Sequence, residues 1–518
     1  MERIGRRPHG RIVSLRVHDD KTCGRYSAAR NVRPVILLTR ALAGLPAAER
    51  YALELLTDLS RLVPVDDPSA GVVRLEVSGD GGRASGAGDI AAQTTRQMSF
   101  ETADGVVRIS RGELRALTAI ATAERERRAV PRDKYGRVPS SESALVQAGL
   151  EREPVLSMAA ARFAAAVVEA AGERPVRFAA PWPHGRRWAA AFTHDLDVVA
   201  LWPLFASLRI AELARKGDGA RLGAVMRSLP AALAGAPVRR GVDAVLEAER
   251  GLVATWFILC GTPNSATVRK GDLTYRPESR ASRGIIEAVS AAGHEVALHG
   301  SFETFDRDGA FAEQRVRLAR ITGRPVAGVR QHFLRMRPGR TELAMHAAGF
   351  RYDSTVGFAD RNGFRTGAAD VLPVWEPAVE RASGFLEMPF CFMDRSLSKY
   401  RGEEDPSAWT ADALALADTC RDVGGLWVGI WHPNVTVAAL GYPGAIEAYG
   451  ALVDGIVANT PYVATLDTIA RWRTARRSIR VRTVRADGTV EPYLVAPGLW
   501  DEPLHVEDAA KNKREVAR

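Results

Sequence analysis

Apolar positions along this chain follow two periods, and the period decides which element each stretch predicts. In the first third, Val35-Ile36-Leu37-Leu38 is a short continuous run suited to a buried strand, and Ala47 to Leu62 repeats at helical spacing. Val72 to Val77 predicts another strand and leads into a Gly- and Ser-rich loop from Ser78 to Gly88. Gly112 to Arg128 and Val155 to Ala171 predict helices, with the polar turn Asp133-Lys134-Tyr135-Gly136-Arg137 between them. No catalytic constellation stands out here, so residues 1–185 are expected to form an N-terminal α/β domain of scaffold or recognition type.

Pro181-Trp182-Pro183-His184-Gly185 breaks the pattern and marks a boundary. Strands and helices then alternate. Phe192 lies in a first strand, and Leu252 to Leu259 is a continuous apolar strand. Helices over Arg280–Ala292, Ala310–Ile321, Thr341–Ala348, Ala411–Val423, Ala445–Val457 and Leu466–Trp472 are interleaved with strands at His294–His299, Val326–Arg330, Phe385–Met388, Leu426–Trp431 and Tyr462–Thr465. This βα alternation predicts a mostly parallel sheet or barrel over residues 186–475, with active residues at the C-terminal ends of the strands. In the tail, residues 476–518, two alternating runs flank Asp487-Gly488, a hairpin signal.

Composition narrows the class. With 518 residues the chain suits two or three domains, and 46% hydrophobic with 25% charged residues is globular. The formal charge of +10 is spread along the chain apart from Arg471–Arg482, and no nucleic-acid motif accompanies it, so no nucleic-acid partner is expected. Four scattered cysteines without a CxxC pair fit a reducing compartment. The charged N-terminus carries no apolar signal core, and no apolar run reaches the ~20 residues of a membrane span. A cytoplasmic location is the expectation.

Polar clusters fall at the predicted strand ends. In Thr193-His194-Asp195-Leu196-Asp197, strand alternation points both carboxylates one way and His194 the other. Such a like-charged pair is either a solvated turn or the seat of a cation. His299 and Glu303 are four apart, and a helical start after Gly300 would put them on one face. With an aspartate from the first strand they form an Asp/His/Glu triad suited to an open metal site. Arg330-Gln331-His332, Tyr352-Asp353-Ser354-Thr355, Glu387 and Trp431-His432-Pro433-Asn434 close other strands. His294 reads as a cap or buttress, and His346 as surface or core.

These motifs resemble the polysaccharide deacetylase family, which shares a domain with nodulation-type chitooligosaccharide deacetylases. Thr193-His194-Asp195-Leu196-Asp197 is similar to that family's first motif in its TxDxD variant. Ala254-Thr255-Trp256-Phe257 is similar to its ATFF strand, and Gly293-His294-Glu295 followed by His299 to GHExxxH. The resemblance spans roughly Arg187 to Arg473. It implies a deformed (β/α) barrel and a divalent metal, zinc first, with cobalt, manganese or iron(II) as alternatives. It implies Asp195 as catalytic base, Asp197 and His299 as metal ligands, Arg330 as the arginine holding the base, and His432 as the acid. Two departures stand out: Glu303 occupies the place of the second ligand histidine, and Arg330-Gln331-His332 lacks the RxPxG proline and glycine. Backbone groups near Tyr352 and Asp353 and the Trp431 ring are the expected substrate contacts. Asp353 is also a candidate to orient His432. The implied activity is removal of N-acetyl groups from a carbohydrate or glycoconjugate. Hydrolysis of another C–N bond or an O-acetyl ester, or an inactive carbohydrate-binding role, are the alternatives.

Overall fold

The computed structural model describes residues 35–38, 44–63, 71–79, 88–128, 130–174, 176–262, 265, 267, 272, 275–484, 490–495, 498, 500–502 and 506–508. The first sheet has strand order β1-β2-β4-β3, formed by β1 (Val35–Leu38), β2 (Gly71–Ser78), β3 (Glu101–Ala103) and β4 (Val106–Ser110). Helices α1 (Ala47–Leu59), α2 (Gly88–Gln97), α3 (Arg111–Ala121) and α4 (Val155–Ala171) pack with it. Ser110 starts α3 with a reciprocal capping box to Glu113, which satisfies two backbone N–H groups that the first turn would otherwise leave open. A short strand, β5 (Arg177–Ala179), follows.

The second sheet carries β6 (Ala189–Leu196), β7 (Ala254–Leu259), β8 (Glu295–Gly300), β9 (Gly328–Gln331), β10 (Tyr352–Asp353), β11 (Leu372–Glu376), β12 (Arg381–Glu387), β13 (Phe392–Met393), β14 (Leu426–Ile430) and β15 (Tyr462–Val463). Their order is β11-β12-β10-β9-β8-β7-β6-β14-β13, with β15 also on β6, and every pairing is parallel except β11 with β12. β6 and β7 are buried at every position, as parallel strands covered on both faces must be. The covering helices are α5 (Trp202–Lys216), α6 (Gly219–Leu233), α7 (Pro237–Ala248), α8 (Arg280–Ala291), α9 (Ala310–Thr322), α10 (Thr341–Ala347), α11 (Pro406–Asp422), α12 (Ala445–Ala458) and α13 (Leu466–Arg477). Beyond them β16 (Ile479–Val484) pairs antiparallel with β17 (Val490–Leu494), and β18 (Val506–Asp508) with β5. The expected turn at Asp487-Gly488 lies outside the described residues.

This sheet curls into a half-barrel. β6 and β9 are three strands apart, roughly 14 Å across a flat sheet. Yet the Arg330 guanidinium of β9 donates to the Asp195 carboxylate of β6 at 2.8 Å. Side chains standing perpendicular to a flat sheet would not converge over that span. The β11 edge is covered by the first region: Leu372 and Trp375 share a core with α1, and Tyr51 donates its hydroxyl to the Pro373 carbonyl at 2.8 Å. Among the described residues no helix is long and apolar enough to cross a membrane.

Helices α5 to α7 fill residues 202–248, where no element was expected. At α5 and α6, Leu201, Leu204 and Leu208 face solvent and Pro230 sits inside α6, so the apolar stripe does not track the buried face; in α7 it does, with Val238, Val242 and Val245 buried.

Gly328 shows how tightly β9 is seated. A Cβ there would lie 1.9 Å from the Tyr352 ring of β10. Gly328→Ala is expected to cost about 1–3 kcal/mol in a urea unfolding titration, by overpacking beneath Arg330.

Candidate active site

The C-terminal ends of β6, β8, β9 and β14 converge on one cavity of about 310 Å³. Asp195 is the penultimate residue of β6 and Asp197 lies just beyond its end. His194, on the opposite face, is fully buried between the Trp431 carbonyl (2.8 Å) and Glu249 (2.9 Å). Asp195 Oδ1 accepts from Arg330 at 2.8 Å, and its Oδ2 is 3.9 Å from His432 Nε2. Arg330 is itself fixed by Thr193 Oγ1 and by the Ser354 carbonyl and hydroxyl, each at 2.9 Å, and lies 4.1 Å from the centre of the Phe257 ring. Burial alone would raise the Asp195 carboxyl. Arg330, then His299 and His432, outweigh it and hold the group below the ordinary carboxylate range.

Asp197, His299 and His332 present ligand atoms within 4.8 Å of one another. Among the described residues no hydrogen bond reaches the buried Asp197 Oδ1, which lies 3.3 Å from His299 Nε2 and 3.5 Å from His332 Nε2. His299 Nδ1 donates to the Arg330 carbonyl at 2.8 Å, which leaves the Nε2 lone pair facing Asp197. His332 Nδ1 faces Asp272 Oδ1 at 3.3 Å, so its Nε2 is directed the same way. Such a buried carboxylate oxygen, met by two imidazole lone pairs, fits a divalent cation of the two-histidine, one-carboxylate class. Burial would raise Asp197, but without a cation the imidazoles of His332, His299 and His432, when protonated, press it well below the usual range; a bound cation takes the place of those protons.

Glu303 does not join this set, contrary to expectation. The i,i+4 alignment required a helix to begin after Gly300. Instead β8 runs through Gly300, Ser301 is extended, and a 3₁₀ turn over Phe302–Phe305 carries Glu303 off the His299 face. His332 takes its place, from the end of β9. Its loop is strained: Phe333 and Leu334 have φ of 58° and 55°. The Phe333 ring is sandwiched between His332 (4.2 Å between centroids) and Tyr135 (4.9 Å), so the polar turn of the first region braces this loop.

His432 Nδ1 meets Asp394 Oδ1 at 2.6 Å, and the backbone N–H of His432 donates to Asp394 Oδ2 at 2.9 Å. Burial would lower this imidazole, but Asp394, then Asp197 and Asp195, push it up to about 9. The orienting carboxylate is therefore Asp394 and not Asp353. Asp394, Asp272 and His332 were not assigned roles from sequence. Only His332 left a signal there, as a polar residue closing a strand.

The three expected substrate contacts lie in the core. Tyr352 is fully buried and donates its hydroxyl to Glu295 at 2.8 Å. Trp431 is buried and packs against Phe392, Trp409 and Tyr449. Asp353 accepts from Thr355 and is buried beside Glu387. All three sit on or beside strands whose inward face is apolar, away from the cavity.

No protein-family model and no curated protein matches the sequence. Similar solved structures include polysaccharide, chitin and peptidoglycan deacetylases, and also a GH57 branching enzyme from Thermococcus kodakaraensis. A provisionally assigned polysaccharide deacetylase from Mycobacterium smegmatis is 23% identical, with 59% of this chain and 96% of that one covered and a TM-score of 0.37. The chitin deacetylase of Colletotrichum lindemuthianum is 13% identical, with 54% and 85% covered and a TM-score of 0.28. A CE4 family pseudoenzyme from Bacillus anthracis is 10% identical, with 54% and 65% covered and a TM-score of 0.23.

Two outcomes follow from this geometry. His332→Ala is expected to abolish bound divalent metal in elemental analysis and Asp272→Asn to weaken it about 10- to 100-fold, while Glu303→Gln keeps wild-type stoichiometry. Metal loss in the Glu303 variant alone would reverse the assignment. The second concerns Asp353 and Glu387, both raised, first by burial. The folded state then keeps protons that the unfolded chain releases near pH 4, so stability falls as pH rises from there through the raised values. Thermal unfolding midpoints should decline between about pH 5 and about pH 8, and Glu387→Gln should flatten that slope.

Proposed function

We propose that this chain is a metal-dependent hydrolase that removes N-acetyl groups from a carbohydrate or glycoconjugate. The observation carrying this reading is that three separate devices meet in one cavity: a metal-ligand triad, an arginine-held carboxylate and a carboxylate-oriented imidazole.

Asp197, His299 and His332 would hold the cation, which when bound supplies Lewis acidity toward the acetamido carbonyl and the attacking water. Zinc suits the two imidazoles and one carboxylate, and cobalt, manganese or iron(II) are the alternatives. The remaining work falls to this chain's own side chains. Asp195 keeps Oδ1 on Arg330, so Oδ2 is the oxygen that accepts a proton from the attacking water. Held below the ordinary range, Asp195 is ionised at neutral pH and ready for that role. His432, raised to about 9 and bonded through Nδ1 to Asp394, is protonated at neutral pH with Nε2–H facing the cavity. It gives that proton to the departing nitrogen, so the C–N bond breaks to acetate and a free amine. Asp394 fixes the ring and stabilises its charge, as an orienting aspartate does in other acid–base pairs.

A binding protein has no use for a raised, oriented imidazole opposite an ionised carboxylate, which weighs against the inactive reading. The same site chemistry serves an O-acetyl ester, and substrate comparison separates the two.

The test is acetate release from N-acetylated sugars by the purified protein. Chelation should abolish turnover and added divalent metal restore it. His432→Ala is expected to lose about 10²- to 10⁴-fold in kcat with metal content unchanged. Asp394→Asn should also fall, with the alkaline limb of its pH–rate profile moved to lower pH because the imidazole loses its counter-charge. Wild-type turnover in His432→Ala would remove it as the acid.

A further inference from the structure

Besides the acid–base groups, the cavity lining has a cationic part and an apolar part. After β13 the chain forms a π-helical turn over Ser396–Arg401, a rare geometry that occurs often at functional sites. It and the preceding residue aim Arg395, Lys399 and Tyr400 into the cavity. Neither Arg395 nor Lys399 forms an ion pair with a carboxylate among the described residues. Arg395 donates to the Tyr442 hydroxyl at 2.5 Å. The Lys399 ammonium lies 5.6–5.9 Å from the ring centres of Tyr400, Phe333 and Tyr135. Arg137, the third cation of the wall, is bound to Asp133 at 2.6 Å. Among the described residues the acidic side chains lining the cavity are Asp195 and Asp197, both already engaged.

The apolar side belongs to α5. Leu204, Phe205 and Leu208 line the same cavity, and Leu204 and Leu208 are 43% and 61% exposed. Of the eleven large apolar residues exposed among the described residues, five fall at Leu201, Leu204, Leu208, Met226 and Leu233, on or beside α5 and α6. Leu204 and Leu208, one helical turn apart, share a face of α5 that borders the cavity, and such a paired apolar face suits a contact surface. Phe205 is also the point where the two sides touch, with the Arg395 guanidinium 6.0 Å from its ring centre.

Resting on the deacetylase reading, we propose that the acetamido sugar is presented on an anionic lipid carrier. Arg395 and Lys399 receive the phosphate that joins sugar to lipid, and the first part of the hydrocarbon chain lies along Leu204, Phe205 and Leu208. Charge complementarity selects this occupant: a neutral glycan polymer uses neither the unpaired cations nor the leucine stripe, and a soluble sugar nucleotide uses only the cations. Repulsion fits the picture. Burial, then Arg395 and Arg137, pull the Lys399 ammonium down to about 8, and an arriving phosphate relieves that conflict.

The experiment compares three substrates of the full-length protein: an N-acetylhexosamine phosphate esterified to a farnesyl chain, the same sugar phosphate without the chain, and the methyl glycoside. Each step down this series is expected to lower kcat/KM at least about tenfold, or ~1.4 kcal/mol. Lys399→Gln with Arg395→Gln should shrink the phosphate-to-glycoside ratio about tenfold, and Leu204→Ser with Leu208→Ser the farnesyl-to-phosphate ratio. Equal kcat/KM for all three substrates overturns the proposal. A phosphate preference without a chain preference overturns the lipid and assigns a soluble sugar phosphate.

Co-sedimentation gives a readout free of hydrolysis. The protein should pellet with phosphatidylcholine vesicles containing polyprenyl phosphate and stay in solution with phosphatidylcholine alone. The double leucine variant should lose that binding, and undiminished binding overturns the proposal. Vesicle binding without acetate release from any sugar leaves the lipid site standing and refutes the deacetylase reading instead.

Discussion

Everything at this site depends on the buried pair between Arg330 and Asp195. An arginine on β9 and an aspartate on β6 belong to strands three places apart, and their bond at 2.8 Å closes the span only because the sheet curls. Both groups are almost wholly removed from water, so neither tolerates loss of the other; breaking such a pair costs about 3–5 kcal/mol. The curl that joins them also carries His299 and His332 to one side of Asp197 and His432 to the other. The electrostatic bond and the shape of the sheet are therefore one constraint.

That constraint divides the labour of two carboxylates placed two residues apart. Asp195 surrenders one oxygen to arginine and keeps the other for proton transfer. Asp197 has an oxygen that no hydrogen bond reaches among the described residues, with the Nε2 atoms of His299 and His332 beside it. Each of the three histidines has its Nδ1 set by a different partner: a backbone carbonyl for His299, Asp272 for His332 and Asp394 for His432. Those partners fix which nitrogen faces the cavity, and so whether a ring offers a lone pair or a proton.

The first region does more than cover a sheet edge. Tyr135 stacks on Phe333, and Arg137 donates to the Phe333 carbonyl at 3.2 Å, bracing a loop with left-handed backbone directly after His332. Strain at such a loop persists only where packing overdetermines it. A polar turn with no evident chemistry of its own thus bears on the position of a candidate ligand.

Much of this was legible in the linear sequence. Continuous apolar runs identified β6, β7 and β14, because strands covered on both faces leave no polar alternation to misread. Asp195, Asp197, His299, Arg330 and His432 stood out because polar groups ending apolar strands are costly unless used. α5 and α6 were hard to read because several of their leucines face outward, and helical period reports amphipathicity only when the apolar face is the buried one. α7, with Val238, Val242 and Val245 buried at helical spacing, carries the period and was a plain omission. Glu303 was misread because spacing alone assumed a helix where the chain continues as strand and then turns in 3₁₀ form. Tyr352, Asp353 and Trp431 were placed at the site by proximity in sequence, but alternation within a curled sheet turns them into the core. Asp272 and Asp394 gave no signal, since each acts only through a histidine distant in the chain. Which strands carry polar ends can be read from the order of residues alone. Only the tertiary structure decided which of those ends meet, because curvature is a property of the whole sheet and no local period encodes it.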